Sequence, residues 1–149
     1  MRETQMIADQ KTANSERLNW NAGGWFGAQI GGTCWIVICA ALLIAHDLGL
    51  AKILFAMFMV TNLVGWSMWF FRSRITAYRA MQILLIITGV VGLAATFAID
   101  RSGLWHVVQG FGGTVSVSQM YLLIPVMIAA LLALFWSRNR SRPSKGHSG

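Results

Sequence analysis

The sequence predicts an all-α integral membrane protein, a four-helix bundle of antiparallel up-down spans. Three observations predict it. Charged residues make up 11% of the chain and hydrophobic residues 56%, whereas a soluble domain carries roughly 25% charged residues. Four charge-free runs, 18–46, 53–71, 80–99 and 102–137 with His46 and His106 taken as neutral, can each hold the ~20 apolar residues that cross a ~30 Å hydrocarbon core. The basic residues flank these runs unevenly, as they do in multi-pass proteins.

Span 1 is expected at about 24–46. It is the least hydrophobic, because Gly23, Gly24, Gly27, Gly31 and Gly32 crowd its start, so it depends most on its neighbours. Spans 2, 3 and 4 are expected at about 50–71, 77–99 and 116–136. Each holds ten Leu, Ile, Val or Phe residues, which favours insertion by on the order of 3 to 6 kcal/mol before polar costs. The links at 46–51 and 72–76 are short, so spans 1, 2 and 3 are expected to be sequential antiparallel neighbours. The third link, 100–115, is longer. Its Leu104-Trp105-His106-Val107-Val108 stretch suits a short amphipathic turn at the membrane surface, and Gly110-Phe111-Gly112-Gly113 is expected to break any helix there. Pro125 is expected to kink span 4.

The spans divide the chain into a polar segment at 1–20, a transmembrane domain at 21–137 and a basic, disordered tail at 138–149. The first apolar run is too long for a signal-peptide core, and no cleavage is expected. Ten of the 12 basic residues (Arg2, Lys11, Arg17, Arg72, Arg74, Arg79, Arg138, Arg140, Arg142 and Lys145) fall on one side of the predicted spans. Only Lys52 and Arg101 fall on the other. The excess places both termini in the cytoplasm, of a cell bounded by a plasma membrane or a bacterial inner membrane. Trp25, Trp66, Trp69, Tyr78 and Trp136 lie near the basic span ends and Trp105 in the third link, as expected of rings at headgroup level. The net charge of +7 belongs to these flanks and not to a folded basic face, which argues against nucleic acid and for anionic lipid headgroups.

Two small-residue stripes stand out. In span 1, Gly23, Gly27 and Gly31 are spaced four apart, and so are Gly24, Ala28 and Gly32. Together they form a flat face, flanked by Trp25, Phe26 and Trp35, where a second helix backbone can approach closely. That helix could belong to this bundle or to another copy; a ligand approaching the backbone is the third possibility. Thr88, Gly92 and Thr96 form a second stripe in span 3.

The spans contain few polar residues and no deep Asp, Glu, Lys or Arg, which argues against proton-coupled transport through an acidic group. Gln29, Thr33, Asn62 and Gln82 fall at similar depths on three consecutive spans. They are expected to form a hydrogen-bonded cluster that either fixes helix register or binds a substrate. Cys34 and Cys39 are five residues apart and read as small apolar residues of span 1. His46, Asp47, Asp100 and His106 are the only set with metal-ligand chemistry, but they come from two links without ligand spacing, and neither metal nor cofactor is expected. No nucleophile–base pair, phosphate loop or acid pair is present on which to place catalysis.

Thr61-Asn62-Leu63-Val64-Gly65 in span 2 and Gly110-Phe111-Gly112-Gly113-Thr114 before span 4 superficially resemble the asparagine span and Gly-rich span entry of the small fluoride channels. In that family the Gly-rich stretch opens the next span, whereas here all of span 3 intervenes. Small multidrug transporters carry an acidic residue in the first span, which this chain lacks. No family is assigned. The expected role is non-enzymatic. The chain would associate through its helices, either as an accessory subunit beside other membrane proteins or as a small homo-oligomer. The alternatives are a small oligomeric channel or transporter for a neutral or anionic solute and, last, a membrane enzyme.

Overall fold

A computed structural model describes residues 21–112 and 115–140. Every described element is an α-helix: α1 (Ala22–Leu43), α2 (Leu48–Phe70), α3 (Ala77–Arg101), α4 (Trp105–Gly112) and α5 (Val117–Arg140). Four of them, α1, α2, α3 and the Val117–Ser137 part of α5, are long and apolar enough to cross a membrane. At 1.5 Å per residue they measure roughly 32 to 38 Å. The chain is therefore a multi-pass membrane protein built as a four-helix bundle. Its outer surface is apolar: Ile30, Val60, Leu63, Val90, Phe97, Leu122 and Val126 are all more than half exposed.

The helix ends follow from local chemistry. Asn21 caps α1, its Oδ1 accepting from the Gly23 amide at 3.0 Å. Asp47 caps α2, its Oδ1 accepting from the Leu50 amide at 2.9 Å. Thr76 caps α3 through the Arg79 amide. Each side chain satisfies a donor that the first helical turn leaves free. At the far end of α3 the chain reverses at Gly103, with φ 72°, where a side chain would be strained. The Gly103 amide bonds back to the Asp100 carbonyl at 3.0 Å.

α1, α2 and α3 pack against one another, while α5 packs principally along α3. No residue in the apolar stretch of α5 is buried. Two apolar clusters fill the bundle. At the end bearing the α2–α3 link, Trp25, Ala80 and Leu84 are buried, with Phe26, Met68, Trp69, Ile75 and Met81 packed around them. At the opposite end, Ile36, Leu43, Leu54, Ala95 and Ile99 form the centre of a larger cluster, closed over by Leu104, Trp105, Val107 and Val108.

The third link is helical: α4 runs through Gly110 and ends at Gly112, inside the Gly-rich stretch expected to break a helix. Glycine costs about 1 kcal/mol per helical position, and the apolar contacts of Val107 and Val108 with the core offset it. The membrane-spanning part of α5 ends at Ser137 and the helix continues to Arg140; residues 141–149 and the polar segment 1–20 lie outside the described residues. Trp25, in the first turn of α1, faces the bundle interior. It is buried, 4% exposed, because the small side chain of Ala80 on α3 leaves room for the indole. Trp66, Phe70, Phe71 and Trp136 are exposed near helix ends. There the Arg72 guanidinium stacks 4.9 Å from the centre of the Trp69 ring. α5 remains helical through Pro125.

Candidate functional site

Between the two apolar clusters lies a polar layer joining α1 to α2. Gln29 Nε2 donates to the Asn62 main-chain carbonyl at 2.6 Å and to Asn62 Oδ1 at 3.1 Å. Asn62 Nδ2 donates in turn to Thr33 Oγ1 at 3.1 Å and to the Phe58 carbonyl at 2.8 Å. Thr33 Oγ1 donates to the Gln29 carbonyl at 2.9 Å. One turn toward the arginine-bearing end, Trp25 Nε1 donates to the Gly65 carbonyl at 3.1 Å. Trp25 and Gln29 are four residues apart on α1, and their acceptors Gly65 and Asn62 are three apart on α2. Antiparallel helices bring those two spacings into step, so one face of α1 engages the backbone of α2.

Gly65 makes this approach possible. A Cβ at that position would collide with the carboxamide of Gln29. Gln29 and Thr33 are buried, and Gln29 Oε1 is buried without a hydrogen-bond partner among the described residues. Thr61, also buried, closes its hydroxyl onto the Met57 carbonyl at 2.8 Å. Three of the four residues expected to cluster, Gln29, Thr33 and Asn62, thus bond to one another along α1 and across the α1–α2 seam.

Gln82 is not part of the layer. Its Nε2 donates to Tyr78 Oη at 3.0 Å on the same helix. The buried face of α3 runs through Ala77, Ala80 and Leu84. Gln82 lies two residues from Leu84, roughly 160° around a helix of 3.6 residues per turn. Similar depth in the membrane brought Gln82 to notice, but depth does not fix rotation.

The two small-residue stripes have different fates. On α3, Gly92 is buried where Trp35 of α1 and Ile124 of α5 converge, 3.6 and 3.7 Å from where a Cβ would stand. Thr96 is buried and bonds to the Gly92 carbonyl at 2.9 Å. Thr88 lies half-buried against Gly32 across the α1–α3 seam, 3.4 Å from the Cβ position. On α1, by contrast, Gly23, Gly24, Gly27, Ala28 and Gly31 are exposed. Among the described residues, nothing lies within 4 Å of a Cβ at Gly27 or Gly31. Packing inside the bundle therefore accounts for the α3 stripe and, on α1, only for Gly32 at its edge.

Two residues that matter here were not singled out from the sequence as packing positions. Gly65 follows Asn62 by three and faces Gln29. Gly89 receives Ile128 of α5, whose Cγ1 stands 3.0 Å from the Cβ position. The signal for Gly65 was available: a glycine one turn from an intramembrane asparagine, opposite a glutamine on the neighbouring span.

At the opposite end of the bundle the four candidate metal-binding side chains do not converge. Asp47 caps α2, Asp100 Oδ2 accepts from Tyr121 Oη at 3.2 Å, and His106 Nδ1 lies 3.0 Å from the Gly103 carbonyl. Among the described residues no group of three or more His, Cys, Asp or Glu could hold a metal ion. Cys34 and Cys39 are both free thiols, and Cys34 Sγ lies 3.4 Å from the Gly31 carbonyl. No family model, curated protein or solved structure matches the chain.

Proposed function

We propose that this protein is a non-enzymatic membrane component that acts by helix association, as an accessory subunit of a membrane complex or as a small homo-oligomer. One observation carries the reading: the face of α1 formed by Gly23, Gly27, Gly31, Gly24 and Ala28 stands uncovered by the other described helices. Between helices in lipid, attraction comes from close van der Waals packing and not from hydrophobicity, so small residues mark the faces where another backbone can approach. The stripe on α3 serves that purpose within the chain. The stripe on α1 is likewise made of small residues, and among the described residues nothing covers it at Gly27 or Gly31.

The mutual bonding of Gln29, Asn62 and Thr33 favours a role in fixing the register of α1 on α2 over a role in binding solute. In this reading both termini are cytoplasmic, on the basis of the ten-to-two distribution of Lys and Arg. The test is affinity capture of the tagged full chain from native membranes in mild detergent, with mass spectrometry of the captured species. A second polypeptide in stoichiometric amount, or a homo-oligomer, is expected. A strictly monomeric chain with no co-purifying subunit, both in detergent and after cross-linking in the intact membrane, sinks the reading.

A further inference from the structure

We propose that a groove between α1 and α2, at the end of the bundle bearing the link between them, holds an acyl chain of an anionic phospholipid whose phosphate lies on Lys52. The groove is independent of the glycine face and encloses about 550 Å³. Its lining joins the buried Ala40 and Ala51 to the exposed Ala41, Ile44, Leu48 and Phe55 and the half-buried Val37. Ala40 and Ala51 are buried, while Ile44, Leu48 and Phe55 are each at least half exposed. Short side chains on facing helices with longer ones on either side leave a trough open to the surroundings. Leu48 to Phe55 spans roughly 10 Å at 1.5 Å per residue, and no hydrogen-bonding side chain other than Lys52 lines it.

Lys52 defines the occupant. It is exposed and lies one turn inside a helix that is otherwise uncharged up to Phe70. Among the described residues, Lys52 and Arg101 are the two Lys or Arg residues at this end, and Lys52 forms no ion pair among them. Asp47, the acidic residue nearest to it in sequence, accepts from the Leu50 amide through Oδ1. An ammonium at this depth extends its stem along apolar surface and seeks an anion at headgroup level. A phosphodiester above a hydrocarbon chain offers both parts in one molecule: the charge for Lys52 and the methylenes for the trough. The apolar face of a second helix would fill the trough but leave the ammonium without a counter-charge.

The experiment uses the full-length chain in bilayers containing phosphatidylglycerol with a photoactivatable diazirine in its acyl chain, and phosphatidylcholine carrying the same chain for comparison. Adducts are mapped by peptide mass spectrometry. Adducts from the glycerol lipid are expected on Val37, Ala41 and Phe55, about fivefold over the choline lipid, which corresponds to one basic residue near the membrane surface. Lys52→Gln is expected to remove that preference and Lys52→Arg to keep it. Ala41→Phe fills the trough from an exposed position and is expected to lower adducts from both lipids. The proposal is overturned if Lys52→Gln leaves the preference intact. It is equally overturned if adducts fall evenly along the lipid-facing side of α5, or if a second polypeptide cross-links at these positions in place of lipid. Lys52→Gln removes no buried group, so it reports even if Ala41→Phe fails to fold.

Discussion

Gln29 holds Asn62 by two hydrogen bonds from one nitrogen, 2.6 Å to the main-chain carbonyl and 3.1 Å to the side-chain oxygen. Half of that grip is on backbone and survives any substitution of residue 62. The other half, together with the bond from Asn62 to Thr33, depends on the carboxamide. Asn62→Leu is therefore expected to weaken the α1–α2 seam by about 1 kcal/mol, in the range of interhelical hydrogen bonds in membranes. Adding Gln29→Met is expected to cost less than the sum of the two single changes, because apolar groups then replace both partners. Thermal denaturation of the purified protein in detergent, arranged as a double-mutant cycle, measures both. An Asn62→Leu variant with unchanged stability and assembly would remove the case for a register lock.

Gly65 is expected to be the more sensitive position. A methyl there meets the Gln29 carboxamide, which cannot withdraw without giving up its bonds to Asn62. Gly65→Ala is expected to destabilise the fold by about 1–3 kcal/mol, the usual cost of overpacking. Gly65→Ala combined with Gln29→Ala should recover part of that loss, since the obstruction is the glutamine side chain. Gln82→Leu is the control, with little expected effect, because among the described residues Gln82 bonds to Tyr78 on its own helix and not across a seam.

The contrast between Gln29 and Gln82 shows what the sequence conveys about such a fold. Span number, span ends and up-down order follow from where charges interrupt apolar runs, and the helices observed lie within a few residues of those expected. Helix rotation does not follow. In a soluble bundle the polar face of a helix points outward and reveals its rotation. Here lipid and core are equally apolar, so nothing in α1 states that Trp25 turns inward while Gly27 and Gly31 turn outward. The α1–α2 register was readable because Gln29, Thr33 and Asn62 need partners in a medium without water. α3 offers no comparable donor to either helix, and its rotation is set by the fit of Ala80 beneath Trp25 and of Gly92 between Trp35 and Ile124.

The glycine face of α1 yields an opposite pattern. A Cβ at Gly27 or Gly31 meets no atom of the described chain, and Leu in place of both raises helix propensity. Stability in detergent is expected to hold or rise slightly. Association is expected to fall, because two isobutyl groups keep a partner backbone from close approach. Cross-linking in native membranes, compared between wild type and Gly27→Leu/Gly31→Leu, reads the association. Undiminished cross-linking would move the interface to another face.

α5 is the least secured span, and its attachment gives the last prediction. Ile124 and Ile128 are one turn apart and seat against Gly92 and Gly89 of α3. Near the start of α5, Tyr121 Oη donates to Asp100 Oδ2 at the end of α3. Pro125 lies between the two isoleucines, and its ring leaves the Tyr121 carbonyl without the amide it would otherwise receive. Helical continuity here rests on the fit against α3. Gly89→Leu places a branched side chain where Ile128 Cγ1 stands 3.0 Å from the Cβ position. It is expected to displace α5 while leaving the α1–α2 seam intact. Limited proteolysis in detergent should release the C-terminal helix faster from Gly89→Leu than from wild type. Ile128→Ala added to Gly89→Leu should slow that release, because it vacates the space the leucine needs. If the double variant is cleaved as fast as Gly89→Leu alone, the seat of α5 lies elsewhere on α3.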